Sequence, residues 1–401
     1  DNVLTFGIER TETDVYNLFI ARYNGEIQFN SIEDFETGMW SYLRFHTPIA
    51  GNDQVGTAAA DFSIEKDTMY VQNKWYAGDD LTFTFGFRYD KVLTPDYPHL
   101  NPKFLERNGI GNNQRFDFDL IQPRVSFNYD ATSMFGDRVV DATIRGGRGL
   151  FLGRIPRVWY GNAYSRSGGL TDYNRFRSYS DVIGPMPASS TADPHFFWLG
   201  STSNYEVRSA WYGDAQGTDP GFEAPSSWRT NIALDLLTTK GYDFTVEYNR
   251  DQINEGVFYQ DLGITQTGTL ADGRGTYTGA GDFWLSNTEL GDTEAITFIM
   301  KKEWNDVKFM TAYTNMDASD VYALTSAQAE SAYGYQQRWD GENMSANRSS
   351  FMVEHKFLAT LDYTTQLLGD NDTRFSLVFV RKAGEPYSVV FDEPGYNSVT
   401  G

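Results

Sequence analysis

The chemistry available to this sequence lies in its arginines. Four fall in one stretch, RGGRGLFLGRIPR: Arg145, Arg148, Arg154 and Arg157. Arg88 and Arg124 join them from two earlier alternating segments, and strand parity is taken to turn Arg88, Arg124, Arg145 and Arg148 toward one polar face. A row of guanidiniums is suited to gripping carboxylates, because each planar fork offers two parallel donors. Such a row would dock the acids of a protein partner or guide an anionic cargo. The plainer reading is preferred: the arginines pair with Asp90, Asp130, Asp141 and Asp243 on neighbouring strands, since a wet interior balances its charges. Gly146, Gly147, Gly149 and Gly153 miss a dinucleotide fingerprint and lie on a strand, where glycine admits the close approach of another backbone.

A second candidate is the aromatic cluster Phe196, Phe197, Trp198, Tyr205, Trp211 and Tyr212 in the longest connection. Trp198, Tyr205, Trp211 and Tyr212 would make a stacking platform for a sugar or another flat ligand. Packing of connections against one another is the commoner use of such residues. His46, His99, His195 and His355 share no paired or helical spacing, which argues against metal ligation or general-base work. The acidic runs Asp317 to Asp320 and Asp370 to Asp372 lack the spacing and central glycine of a dedicated calcium loop. There is no nucleophile elbow, H-E-x-x-H, P-loop or cysteine. The expectation is a protein that binds or transports, not an enzyme, with no metal and no cofactor.

The elements that must position these residues are strands. From Leu81 to Asp90, Leu81, Phe83, Phe85, Phe87 and Tyr89 alternate with Thr82, Thr84, Gly86, Arg88 and Asp90. Period two with one oily and one polar side is a strand between two different media. Met69 to Tyr76 supplies its partner across a turn at Ala77 to Asp80, with Trp75, Tyr76 and Tyr89 bracketing the apolar band. Four later hairpins repeat the plan. They are Pro123 to Tyr129 with Val140 to Ile144, Ile232 to Leu236 with Tyr242 to Tyr248, Ile296 to Trp304 with Val307 to Tyr313, and Phe357 to Tyr363 with Phe375 to Phe379. Leu4, Phe6 and Ile8 open the chain as a first strand, for roughly eleven in all. Ser31 with Glu33 and Asp34 predicts a short capped helix, and another is expected near Ser326 to Tyr333.

Connections after Gly56 alternate short and long without exception. A soluble sandwich has no reason to gather its long loops at one end, whereas an outer-membrane barrel has short periplasmic turns and long extracellular loops. The expected fold is therefore all-β: an antiparallel transmembrane β-barrel, with residues 1–401 forming about half of a wall of roughly 22 strands. An open sheet edge cannot face lipid, so the closing strands are expected elsewhere.

Bulk properties agree. The net charge of −21 disfavours nucleic acid, whose phosphates it would repel. Aromatic residues at 16% favour strands, and the absence of cysteine excludes disulfide staples and thiolate metal sites. No apolar run reaches the ~18 residues of a spanning helix, and the opening DNVLTFGIER lacks the basic start and apolar core of a signal peptide. The mean hydropathy of −0.48 is compatible with a barrel, whose signal lies in alternation rather than in the average.

Eight stretches in order then resemble the TonB-dependent outer-membrane receptors, in the Oar-like branch that carries an N-terminal carboxypeptidase-regulatory-like domain. They are LTFGIER (4–10), YNLFIARYNGEIQFNSIEDF (16–35), YVQNKWYAGDDLTFTFGFRYD (70–90), QPRVSFNYD (122–130), IRGGRGLFLGRIPRVWYGNAYSRSG (144–168), YTNMDASDVYALTSAQAESAYG (313–334), VEHKFLATLDY (353–363) and FSLVFVRKAGEPYSVVF (375–391). The resemblance implies a receptor and active transporter of a Gram-negative bacterium. Such a protein sits in outer-membrane lipid, is filled by a plug domain of the same parent, and is opened by energy from the TonB complex. It implies a small-molecule, oligosaccharide or peptide cargo, with import and export both open. The plug and the C-terminal closing strands have no counterpart in these 401 residues. A passive porin or surface adhesin on the same wall, or a soluble β-rich binding protein, are the rival expectations.

Overall fold

The computed structural model describes residues 1–23, 25–48, 52–176, 206–208, 215–279, 281–321, 324, 326, 328–334 and 344–388. Its frame is one antiparallel meander. Eleven strands follow in chain order, each bonded to the next: β1 (Asn2–Asn17), β2 (Ala60–Tyr76), β3 (Leu81–Leu93), β4 (Phe118–Asp130), β5 (Val139–Leu152), β6 (Ser226–Thr238), β7 (Tyr242–Asp261), β8 (Asp292–Trp304), β9 (Val307–Asp320), β10 (His355–Leu368) and β11 (Asn371–Lys382). β1 and β11 are the two edges, and both run from the rim of tight turns toward the rim of long connections.

The five predicted hairpins are all present. Trp75 lies opposite Phe83, Phe298 opposite Tyr313, and Leu361 opposite Leu377. Tight turns join β2–β3, β6–β7, β8–β9 and β10–β11, and a helical link of residues 132–138 joins β4–β5. Two turns depend on glycine in the left-handed region, Gly241 at φ 71° and Gly369 at φ 65°. The short helix Ile32–Thr37 is present, with the Ser31 side chain accepting from the Asp34 N–H. The second forms at Ala329–Gly334.

Several strands run beyond their sequence signal. β1 continues through TETDVYN to Asn17, β2 begins at Ala60, and β7 reaches Asp261. Past the apolar band both faces of a strand are wet or packed under connections, so alternation fades while the backbone ladder continues.

The two faces differ in kind. On one lie Leu4, Phe6, Ile8, Phe85, Phe87 and Phe298, of which Phe6 is 75% and Ile8 83% exposed. Trp75, Tyr129, Trp304 and Tyr363 border this apolar face near the tight turns, and Tyr89, Tyr248 and Tyr313 border it near the long connections. The other face carries Thr68, Thr84, Arg88, Asn128, Arg145, Asn231, Asp235, Glu247 and Thr297. A groove of about 880 Å³ runs along this polar face across strands β2 to β8, which marks it as the concave side.

Long connections fold back over the upper end of that concave side. Phe62, Phe116, Tyr160, Tyr164, Phe222, Phe283, Leu285 and Tyr333 share one core to which four of the five long connections contribute. Val15, Phe62 and Ile64 reach this dome from inward positions on β1 and β2, and Val92, Phe118 and Leu120 form a second cluster from inward positions on β3 and β4. The strand Asp282–Thr288 extends the wall upward from β7 and pairs in parallel with Ala215–Thr218. A separate four-stranded sheet of Glu26–Gln28, Tyr42–Pro48, Thr171–Phe176 and Glu206–Arg208 lies among the connections.

Gly86 holds a tight place in the wall: a Cβ there would come within 2.3 Å of the Val71 carbonyl oxygen and 2.8 Å of Gln72 Cα. Backbone cannot yield as a side-chain tip can. Gly86→Ala is therefore expected to lower the unfolding free energy by about 1–3 kcal/mol in denaturant titration. Gly161→Ala, where a Cβ meets nothing within 4 Å, should be neutral or stabilising by up to about 1 kcal/mol.

Candidate functional site

The concave groove brings together most of the arginines read from the sequence. Arg88 reaches two residues along β3 to Asp90, its Nε at 2.8 Å and its Nη2 at 2.9 Å. Asp90 is 1% exposed and also accepts from Thr68 Oγ1 and Gln122 Nε2, each at 2.5 Å, with Lys66 Nζ at 3.3 Å. A buried carboxylate with this many donors is satisfied, and it fixes the heights of β2, β3 and β4 relative to one another. Arg145 spans to Asp235 at 2.8 Å and to Glu247 at 3.2 Å, and Asn231 and Asn249 donate to the same Glu247. The preferred reading, arginines paired across strands, thus describes Arg145, whereas Arg88 pairs along its own strand and its carboxylate partner makes the cross-strand bonds.

The partners differ from those expected. Of the four acids named, Asp90 serves Arg88, but Asp243 pairs with Lys301 at 3.3 Å and Asp130 caps its own turn at the Thr132 N–H. Asp235 and Glu247 stand on the polar side of their hairpin in the sequence itself. That hairpin's adjacency to Arg145 depends on β5 meeting β6 across the longest connection, which no local pattern announces.

Arg124 is the inner arginine with no carboxylate within ion-pair distance among the described residues. Its Nη2 donates to Gln122 Oε1 at 3.0 Å and its guanidinium lies 4.3 Å from the Phe151 ring centre. Arg229, itself 2.9 Å from Asp251, approaches the same ring at 5.7 Å. The flat face between Gly147 and Gly149 leaves the groove open beside this pair. An uncompensated cation on a wet concave wall is the position at which an incoming anion gains most.

Arg148 overturns its expectation. It lies three residues from Arg145 on an uninterrupted strand, so it points to the opposite face. There its register neighbours are Val125 and Thr230, its guanidinium is 5.2 Å from the Trp228 ring centre, and its Nη2 is 3.5 Å from Gln252 Oε1. The two glycines between the arginines carry no side-chain signal, which is why the RGGR stretch reads as one cluster. Arg154 and Arg157 fall beyond the end of β5, Arg157 opening the helix Arg157–Ser165. The aromatic platform of Trp198, Tyr205, Trp211 and Tyr212 lies outside the described residues.

The dome is held by aromatic stacking and one polar clamp, neither foreseen from sequence. Phe62 stacks on Tyr164 at 4.2 Å with an 8° interplanar angle, and Phe116 meets Tyr160 at 4.4 Å. Arg107 forks onto buried Asp282 at 2.8 and 2.6 Å while Asn108 donates to the same carboxylate at 2.8 Å, and the Arg107–Asp282 bond raises the Arg107 pKa. Burial pushes the Tyr164 phenol up to about 12, and raises that of Tyr160 as well. Of the described histidines, His46 Nδ1 lies 2.6 Å from the Ala21 carbonyl oxygen and His355 Nδ1 lies 2.9 Å from the Tyr313 hydroxyl.

No protein-family model matches the chain, and no curated protein matches it. Among solved structures it is similar to the siderophore receptor PirA from Acinetobacter baumannii, with a TM-score of 0.44 and 10% identity over 94% of this chain and 42% of that one. It is likewise similar to a point mutant of the ferric enterobactin receptor PfeA from Pseudomonas aeruginosa, with a TM-score of 0.42 and 10% identity over 94% of this chain and 41% of that one. The chain thus spans about two fifths of the length of either receptor.

Two outcomes follow from the charge and phenol arrangements. Asp90→Asn should cost about 2–3 kcal/mol of unfolding free energy, because it strands Arg88 and Lys66 against a nearly closed site. Asp243→Asn, at an exposed pair with Lys301, should cost less than about 1 kcal/mol. An unfolded phenol ionises near 10 and folded Tyr164 near about 12, so its stabilising effect is complete below pH 10 and lost as pH rises to about 12. Limited proteolysis should show the dome loosening across that window, with the loss reduced in Tyr164→Phe.

Proposed function

We propose that the chain is part of the wall of an outer-membrane β-barrel receptor of the TonB-dependent kind, one that moves its cargo inward or outward past a plug. One observation carries the reading. The sheet gathers its tight turns on one rim and its long connections on the other, with an apolar band seven to nine strand residues tall between its lower and upper aromatic borders on the outer face. In a soluble protein the outer Phe and Leu rows would have to be covered. In lipid they are in their own solvent, and the salt-bridged inner face is left to water and protein.

The dome favours a receptor over a passive porin. A porin needs an unobstructed aqueous path, whereas here a dry aromatic core sits over the upper end of the concave side. Connections packed in this way present a preformed outer surface for ligand capture, and a plug beneath would supply the gate. Arg88, Arg124 and Arg145 then face the space a plug or a passing anionic cargo would occupy, with Arg124 the one still seeking a counter-charge.

Detergent dependence tests the membrane reading first: the parent protein that carries this wall should aggregate when detergent is removed and insert into lipid vesicles. A monodisperse protein in plain buffer would end the reading. In vesicles, Phe85→Arg should cost about 2–4 kcal/mol near the bilayer midplane, while Thr84→Arg on the inner face should be far milder. Equal costs would show that the faces are assigned wrongly.

A further inference from the structure

The outer face carries charges just beyond its upper tyrosines, and most are already neutralised. Arg10 is held by Glu12, Glu65 and Asp67 at 2.9 to 3.3 Å, and Arg250 by Asp292 and Glu294 at 2.5 and 3.2 Å. Arg148 is different. No carboxylate lies within ion-pair distance of it among the described residues, it is exposed, and its guanidinium is braced against Trp228 with Gln252 beside it. Arg381, on the outer face of the edge strand, shares the lack of a carboxylate among the described residues, but its far side is open, so its surroundings are not those of a wall residue.

Resting on the membrane reading above, we propose that Arg148, Trp228 and Gln252 form a binding site for a phosphate-bearing lipid headgroup of the outer leaflet. Height and charge both support it. Arg148 stands one outward position above Gly146, whose neighbours Phe127 and Ile232 belong to the apolar band, and Arg250 stands one such position above Tyr248. Barrel strands tilt, so the ladder row that passes Phe85 on β3 rises across β5 to β7, and at Arg148 and Arg250 it nears the boundary where acyl chains give way to headgroups. An indole face prefers this boundary, and stacking on it holds a guanidinium with its donors free at the rim. A planar fork offering two parallel N–H groups matches two phosphate oxygens, and the glutamine amide adds a donor to a third. The neighbouring arginines offer no such donors, since their acids occupy them.

The test uses the parent protein that carries this wall, in non-ionic detergent, with native mass spectrometry counting bound diphosphoryl lipid A. Insertion of each variant into vesicles is measured alongside. Wild type should retain one lipid more than Arg148→Gln, whose occupancy at equal lipid should fall about fivefold or more for the lost charge-assisted pair. Arg148→Lys should recover part of it, and Arg10→Gln should match wild type. Ten millimolar inorganic phosphate should not displace the lipid, because the acyl chains add their own burial. Equal occupancy in wild type and Arg148→Gln, with both inserting normally, would overturn the headgroup site and leave the membrane wall standing. Displacement by phosphate would also overturn it, reducing the site to a free-anion contact. Failure of wild type to insert would remove the wall reading and the site with it.

Discussion

A strand in an apolar solvent has no water to satisfy its backbone, so each N–H and C=O must find a partner on the next strand. As the proposed membrane wall, this sheet meets that requirement while period-two geometry sends alternate side chains to opposite faces. Eleven strands bonded in sequence order meet it with four tight turns and one short helical link on one rim. Once the ladder is continuous, a one-residue slip would exchange Phe83, Phe85 and Phe87 for Thr84, Gly86 and Arg88. Register and face are thus a single constraint.

The inner charges reinforce that constraint. Asp90 gathers donors from β2, β3 and β4, and Arg145 gathers acceptors from β6 and β7. Each is a lateral tie that holds only at the observed register, because a shifted strand would bring an apolar residue to the carboxylate instead. The ties stop short of using every cation. Arg124 inside and Arg148 outside are left to an aromatic ring and an amide apiece, a shared chemistry presented to two different environments.

Much of this is legible in the sequence, and the limits have physical causes. The hairpins around Phe85, Leu234, Phe298 and Leu361 declare themselves because one face of each strand is apolar and the other polar. Where β1 passes through TETDVYN and β7 through NRDQINEGV, that contrast is gone, and the strands become invisible although their ladders persist. Arg148 reads onto the wrong face because two glycines hide the count of residues separating it from Arg145. The Arg145 partnership with Glu247 is hidden by distance along the chain. The dome is least legible of all: Phe116, Tyr164 and Tyr333 come from unrelated connections and Phe62 from the start of β2, with no common period, and only assembly brings them together.

The direction of the two edge strands bears on assembly. Because β1 and β11 both point toward the rim of long connections, two copies of this sheet set edge to edge around a common axis along the strands would meet along parallel seams. A ring of alternating strands closes only through an intervening set whose first and last members both descend, and such a set contains an odd number of crossings. On the proposed reading of a barrel wall, self-association is therefore the wrong way to close it, and the seam favours a complementary piece of opposite polarity at both ends.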